Sequence, residues 1–206
     1  MKNEESVLEY FEEDESKDEE KKPGSLATIL LTVFDFFKTI FIIVVLATVI
    51  RYFLIQPFIV DGQSMEPTFQ NSDYLITEKV SFRLGTPKRG EVVIFHPPDN
   101  PSVNYLKRLI GLPGDEIEIK DKLVYVNGKK LDEPYLTGGK KTELVQPGNL
   151  KVTVKANEYF VLGDNREHSR DSRELGPIPK ANVVSRVWVR LFPLSGIKTF
   201  SPITYN

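Results

Sequence analysis

The sequence predicts a mainly β domain, a sandwich or partly open barrel, carried behind one N-terminal membrane-crossing helix. Three observations predict it. Between residues 26 and 60 the chain is overwhelmingly apolar, with Asp35, Lys38 and Arg51 as its only charges. After Gln56-Pro57 come short segments rich in β-branched and aromatic residues, divided by Gly, Pro, Asn and Asp. The length of 206 residues suits an anchor and one sizeable domain, and 40% hydrophobic residues suffice for a core.

Ahead of the apolar run, the first 22 residues hold ten acidic and four basic side chains, a net of −6 that leaves +4 for the rest of a chain at −2. Such a segment cannot offset its ordering entropy, so residues 1–25, closed by Pro23-Gly24-Ser25, read as a solvated acidic tail. The anchor region is 26–56. Its uncharged core, Thr39 to Ile50, has 12 residues, short of the roughly 20 that a spanning helix needs. Lys38 and Arg51 can snorkel to opposite headgroup regions, giving a span of about 33–54 with Tyr52 and Phe53 near one interface. A soluble core helix apolar on every face would need surrounding helices, and the β-rich remainder offers none. No small-x-small cleavage site follows Ile50, so a removable export signal fits poorly. Lys21, Lys22 and Lys38 favour a cytoplasmic N-terminus, leaving residues 57–206 as an extracytoplasmic β domain.

Within that domain the expected strands are Phe58–Val60, Tyr74–Thr77, Glu91–Phe95, Glu116–Ile119, Val124–Val126, Tyr159–Leu162 and Arg186–Leu191. Asn127-Gly128 signals a tight hairpin. The small net charge gives no case for nucleic acid as a partner. With no cysteine and only two histidines, His96 and His168, neither thiol chemistry nor a His-rich metal site is available.

Three segments carry candidate chemistry. In Gly62-Gln63-Ser64-Met65-Glu66-Pro67-Thr68-Phe69, Gly62 permits positive φ and Pro67 stiffens the exit, which suits either a polar turn or a presented nucleophile. A serine needs a base. Lys107 is one candidate, because strand alternation places it on one face with Tyr105 and Leu109, where desolvation would lower its pKa from about 10.4. The other reading is a surface lysine beside Arg108. His96 and His168 are less favoured as the base, lying in polar or Pro-rich surroundings where a lone histidine is more often a surface residue. The segment Gly163 to Arg173 interleaves both charge signs, as a solvated loop or as a hydrogen-bonded network pairing Asp171 with an arginine.

In order and spacing these segments resemble the bacterial type I signal peptidases, Ser/Lys-dyad peptidases of family S26. The likeness includes Asn71–Lys79 and Arg89–Pro97 and covers about residues 36–192. It implies Ser64 as nucleophile and Lys107 as general base, with Ser169 orienting Lys107 and an Asp171–Arg173 salt bridge bracing the site. It further implies the Ser64 amide in an oxyanion hole, with a backbone group or water at Gly62 where some relatives carry a hydroxyl. His168 inherits no role. Val60, Met65, Phe69, Tyr105 and Leu106 are candidate walls of substrate pockets. The segment at about 116–158 is short for the family, so a second β lobe should be small. The implied reaction uses no metal or cofactor: an acyl-enzyme forms as a signal peptide is cut from an exported preprotein after small residues, at the bacterial plasma membrane. The Ser-x-x-Lys match at Ser195–Lys198 stands without the Ser-Asp-Asn and Lys-Thr-Gly partners that a penicillin-binding enzyme requires. A self-cleaving repressor would need a DNA-binding domain, and a catalytically dead adaptor would not need Ser64 and Lys107.

Overall fold

The computed structural model describes residues 25–80, 85, 87–136, 141–144, 148–201 and 203. The acidic tail before Ser25 lies outside the described residues. The chain divides into two units at Thr48/Val49.

The first unit holds all but the last residue of helix α1, Ser25–Val49, and the second runs from Val49 into a π-helical turn at Ile50–Leu54. The helix starts eight residues earlier than the expected span. That span was set by sending Lys38 to a headgroup, whereas Lys38 Nζ instead pairs with Asp35 Oδ1 at 2.7 Å, one turn back. Pairing removes the reason to stop the helix there, and no proline interrupts the chain between Pro23 and Pro57. The stretch Leu26–Val49, mean hydropathy 2.5, is long and apolar enough to cross a membrane. Its Leu30, Phe34 and Phe41 are each about two-thirds exposed. A soluble surface rarely carries so much continuous apolar area.

The second unit is β-rich. Its strands are β1 (Ile55–Ile59), β2 (Tyr74–Glu78), β3 (Val92–Phe95), β4 (Tyr105–Gly111), β5 (Glu116–Lys120), β6 (Leu123–Val126), β7 (Lys129–Lys130), β8 (Leu150–Thr153), β9 (Glu158–Leu162), β10 (Ile178–Pro179), β11 (Val183–Phe192) and β12 (Lys198–Thr199), with a one-turn helix α2 at Ser172–Leu175. The larger sheet runs β1-β2-β11-β3-β4-β9-β10, with β12 on β11, and its described path does not close on itself. The partly open form of the expected architecture is therefore the one adopted. A four-stranded sheet, β7-β6-β5-β8, forms the small lobe. Its Asn127-Gly128 turn has φ of 53° and 77°, the doubly left-handed geometry that matches strand twist. The preceding turn reaches the same geometry with Asp121 and Lys122, at 51° and 63°, where no glycine marked it.

Sheet faces explain the sequence texture. Tyr159 and Val161 join one core with Val93, Phe95, Leu109 and Ile178, while Phe160 and Leu162 join another with Ile110, Ile117 and Val124. Both faces of β9 are covered, so it reads as a continuous apolar run. In β5 the buried Ile117 and Ile119 alternate with half-buried Glu and Lys, as a strand with one wet face must. Buried Val60, Met65, Phe69, Leu75, Val92 and Val187 form a third cluster beneath the β1–β2 connection. That connection carries Ser64.

Candidate active site

The 60–73 connection is a loop anchored at several points. Val60 N–H donates to Asp73 O at 2.9 Å and Ser72 N–H to Val60 O at 2.8 Å, closing its neck. Gly62 takes φ of +100°, a conformation open to glycine and costly elsewhere. Met65 and Phe69 are buried, 2% and 0% exposed, and Phe69 N–H donates to Met65 O at 2.9 Å. Ser64 sits just before this buried turn and remains half-buried. None of the hydrogen bonds among the described residues uses its N–H.

Lys107 approaches from β4. Its Nζ lies 2.7 Å from Ser64 Oγ and 3.0 Å from Leu106 O, and 5.1 Å from the centre of the Tyr105 ring. The side chain is buried beside Leu109, with 3% of the residue exposed. Desolvation is the largest influence on it and lowers its pKa to about 8, against the opposing pull of Asp171 and Asp164 and with help from Arg173. Carboxylates are thus near enough to be felt, yet none makes an ion pair with the amine among the described residues. The surface-lysine reading is excluded.

The segment 163–173 closes the site from a third direction. Asp171, fully buried, pairs with Arg173 at 2.8 Å. It also accepts from Gly163 N–H at 2.9 Å and from Ser169 Oγ at 2.7 Å. Ser169 therefore donates its hydroxyl proton to Asp171, and the expected bond to Lys107 is not among those of the described residues, where the amine's hydrogen bonds go to Ser64 Oγ and Leu106 O. Gly163 is squeezed: a Cβ there would lie 2.1 Å from Ser169 Oγ and 2.6 Å from Ser64 O. Asn165 grips the nucleophile turn, its N–H bonded to Ser64 O and its Nδ2 to Gln63 O, each at 3.0 Å.

Between these elements lies an open cleft of about 470 Å³. Of the expected pocket residues, Val60, Met65, Tyr105 and Leu106 line it together with Ser64, Lys107 and Gly62. Phe69 does not. Its ring faces the core and meets Phe200 at 4.5 Å, because it is the buried pivot of the turn. Of the two contributions expected at Gly62, the backbone donor is already taken, its N–H being donated to Asn71 Oδ1 at 2.9 Å. His168, exposed, and Arg170 stand at the cleft rim.

A serine hydroxyl in contact with a buried amine of lowered pKa is an arrangement for acyl transfer by nucleophilic attack. Against known families, residues 33–192 match the model of signal peptidase, peptidase S26. The chain belongs to this family. Relatives include a signal peptidase I of Bacillus licheniformis, 42% identical over 81% of this chain and 92% of its own. A probable signal peptidase I-2 of Synechocystis is 43% identical over 76% and 72%, respectively. A signal peptidase I crystal structure from Enterococcus faecalis aligns with 49% of this chain and 96% of its own, at 33% identity and a TM-score of 0.43. This signal peptidase is thus a signal peptidase I-type enzyme, a hydrolase of signal peptides, and its N-terminal apolar helix fits a membrane-anchored protein.

Two parts of the signal peptidase site escaped the sequence reading. Arg108, 4% exposed, forms a two-pronged pair with Asp164 at 2.8 and 2.6 Å, and Thr68 Oγ1 donates to the same carboxylate at 2.6 Å. Arg166, fully buried, binds Glu133, Thr142 and Gly163 O, linking the small lobe to the catalytic segment. Arg166, in the 3-10 turn Arg166–His168, gave no local signal; Arg108 did, as a charge on the covered face of a strand, which demands a partner. That signal did not say which.

Proposed function

We propose that this signal peptidase removes N-terminal signal peptides from exported preproteins through a Ser64/Lys107 dyad, while α1 anchors it in a bacterial plasma membrane with its N-terminus in the cytoplasm. The observation that carries the mechanism is the 2.7 Å contact between Ser64 Oγ and the buried Lys107 Nζ. Neutral Lys107 takes the hydroxyl proton as Ser64 Oγ attacks the scissile carbonyl. The oxyanion develops towards the uncommitted Ser64 N–H. Lys107 then protonates the departing amine of the mature protein, leaving the signal peptide as an ester on Ser64. A water gives its proton to Lys107, attacks that ester, and the serine leaves with the proton returned.

The Asp171–Arg173 pair and Ser169 brace the amine's surroundings, and Gly62 leaves the loop its required turn. For the substrate, β9 pairs with β4 only from Arg108 onward, so the backbone of Tyr105–Lys107 is open to an added strand on that side. Val60, Met65, Tyr105 and Leu106 supply shallow apolar walls suited to small side chains at the −1 and −3 positions.

The test is cleavage of a preprotein bearing an Ala-x-Ala site by the detergent-solubilised full chain, alongside mass analysis after a serine-reactive penem. The expected result is site-specific cleavage and an acyl adduct on the Ser64 peptide, both lost in Ser64→Ala. Cleavage that persists in Ser64→Ala overturns the mechanism.

A further inference from the structure

Residues 193–201 follow the last residue that the family model matches, and they pack behind the loop that carries Ser64. Strand β12 pairs with β11, placing Thr199 opposite Val189 and Lys198 opposite Arg190. Phe200 N–H then donates to Trp188 O at 2.9 Å. This pairing delivers the Phe200 ring onto Phe69, with centroids 4.5 Å apart and planes tilted by 34°. Phe69 is fully buried, and its N–H bond to Met65 O makes the turn after Ser64 a single stiff unit.

Arg190 ties the same parts from a second direction. Its Nε donates to Gly196 O at 2.9 Å, and its Nη1 to Asp73 at 2.9 Å and Thr68 O at 3.2 Å. Gly196 lets the guanidinium come this close, since a Cβ there would stand 3.2 Å from Arg190 Nη2. Asp73 in turn accepts from Gln70 N–H at 3.0 Å. One ring and one guanidinium therefore hold the far side of residues 64–73, and neither lines the cleft.

We propose that the strap of residues 193–201 is a positioning element for Ser64, acting through Phe200 on Phe69 and through Arg190 on Thr68 and Asp73. The proposal rests on Ser64 being the nucleophile. A displaced Phe69 carries Met65 with it, and Met65 is the residue next to Ser64. Lys107 belongs to β4, and the groups that shift its pKa are Asp171, Asp164 and Arg173, none of them on the strap. Loosening the strap therefore misplaces the hydroxyl, and shifts the Met65 part of the substrate wall with it, without changing the groups that set the protonation of its base. Misplacement by a fraction of an ångström is enough to slow a positioned attack.

The test uses the full chain in detergent with an Ala-x-Ala peptide, comparing Phe200→Ala, Phe200→Leu and Ser64→Ala with the unchanged enzyme. Phe200→Ala should lower kcat by about ten-fold or more, a larger change than any in KM, with the acid limb of the pH profile unmoved. Phe200→Leu keeps most of the volume and should fall between, roughly three-fold below the unchanged kcat. If the alanine variant does not fold, the leucine variant carries the test. Unchanged kcat in whichever variant folds, or a loss confined to KM, overturns the strap's role. If Ser64→Ala is inactive while the Phe200 variants are fully active, the nucleophile stands and the strap alone fails. Cleavage by Ser64→Ala removes both.

Discussion

Lys107 and Arg108 are consecutive residues of β4, equally buried at 3% and 4% exposure, yet their faces treat them in opposite ways. Arg108 meets a full set of acceptors: both oxygens of Asp164, the Gly90 carbonyl and the ring of Tyr135 4.1 Å away. Lys107 meets a hydroxyl, one carbonyl and, at the longer distance of 5.1 Å, the ring of Tyr105. Burial alone therefore decides nothing about charge. The arginine is a cation at any accessible pH, and its partners offset the cost of burying it. The lysine, which can lose its proton and has no direct carboxylate partner, is driven towards neutrality. One face of the strand is structural and the next is chemical.

Four experiments can break or sharpen this contrast. The largest effect is expected from Lys107→Arg. A guanidinium stays protonated at any accessible pH, so turnover should fall by at least about 10³-fold while the fold is kept. Peptide cleavage with circular dichroism checks this, and retained turnover would mean that no neutral amine is needed.

On the structural face, Asp164→Ala leaves Arg108 buried without its carboxylate. It should cost about 3–5 kcal/mol in denaturant unfolding of the β-rich unit, and the double variant Arg108→Met/Asp164→Leu should recover much of that. A cost within about 0.5 kcal/mol would place the pair among exposed ion pairs instead.

Third comes pH. With the Lys107 pKa at about 8, kcat/KM should rise along an acid limb centred there and stand roughly thirty-fold below its plateau at pH 6.5. Asp171 raises this pKa, so the residual activity of Asp171→Asn should show a limb shifted to lower pH. Stability carries the same signature. Between about 8 and the unfolded value near 10.5 the unfolded chain binds more protons, so the native state should gain stability as pH rises through that window. Lys107→Met should lack this gain.

The smallest effect belongs to Ser169→Ala. Its hydroxyl serves Asp171 and reaches Lys107 only through that carboxylate, so kcat should drop by less than about ten-fold. A hundred-fold loss would restore a direct contact with Lys107 during turnover.

The contrast also marks what could be read in advance. Period-two alternation put Lys107 with Tyr105 and Leu109, and those residues do share a packed face. The resemblance supplied Ser64, 43 residues away, as its partner. Alternation equally put Arg108 on the other face, but its partner is 56 residues distant, and no local rule spans that separation. Phe69 was misread for a related reason. Its closeness to Ser64 in sequence suggested a pocket wall, whereas a turn of that length points its fifth residue inward. The Asn127-Gly128 hairpin was legible because its chemistry is local, and the two-residue strands β10 and β12 were not, because pairing with distant neighbours defines them.

The pairing of Asp35 with Lys38 reaches beyond the helix that holds it. With the two charges neutralising each other one turn apart, the apolar length available is the whole of Leu26–Val49, 24 residues, rather than the dozen that lie clear of any charge. At about 1.5 Å per residue this is roughly 36 Å, longer than a hydrocarbon layer of about 30 Å. The surplus can be absorbed by leaning the helix away from the bilayer normal, at a modest cost per ångström. An anchor with length to spare is insensitive to local thinning or thickening of the lipid around it. Neutralising one partner alone, as in Asp35→Asn, would leave a lone ammonium that pulls towards a headgroup and fixes the helix at one depth.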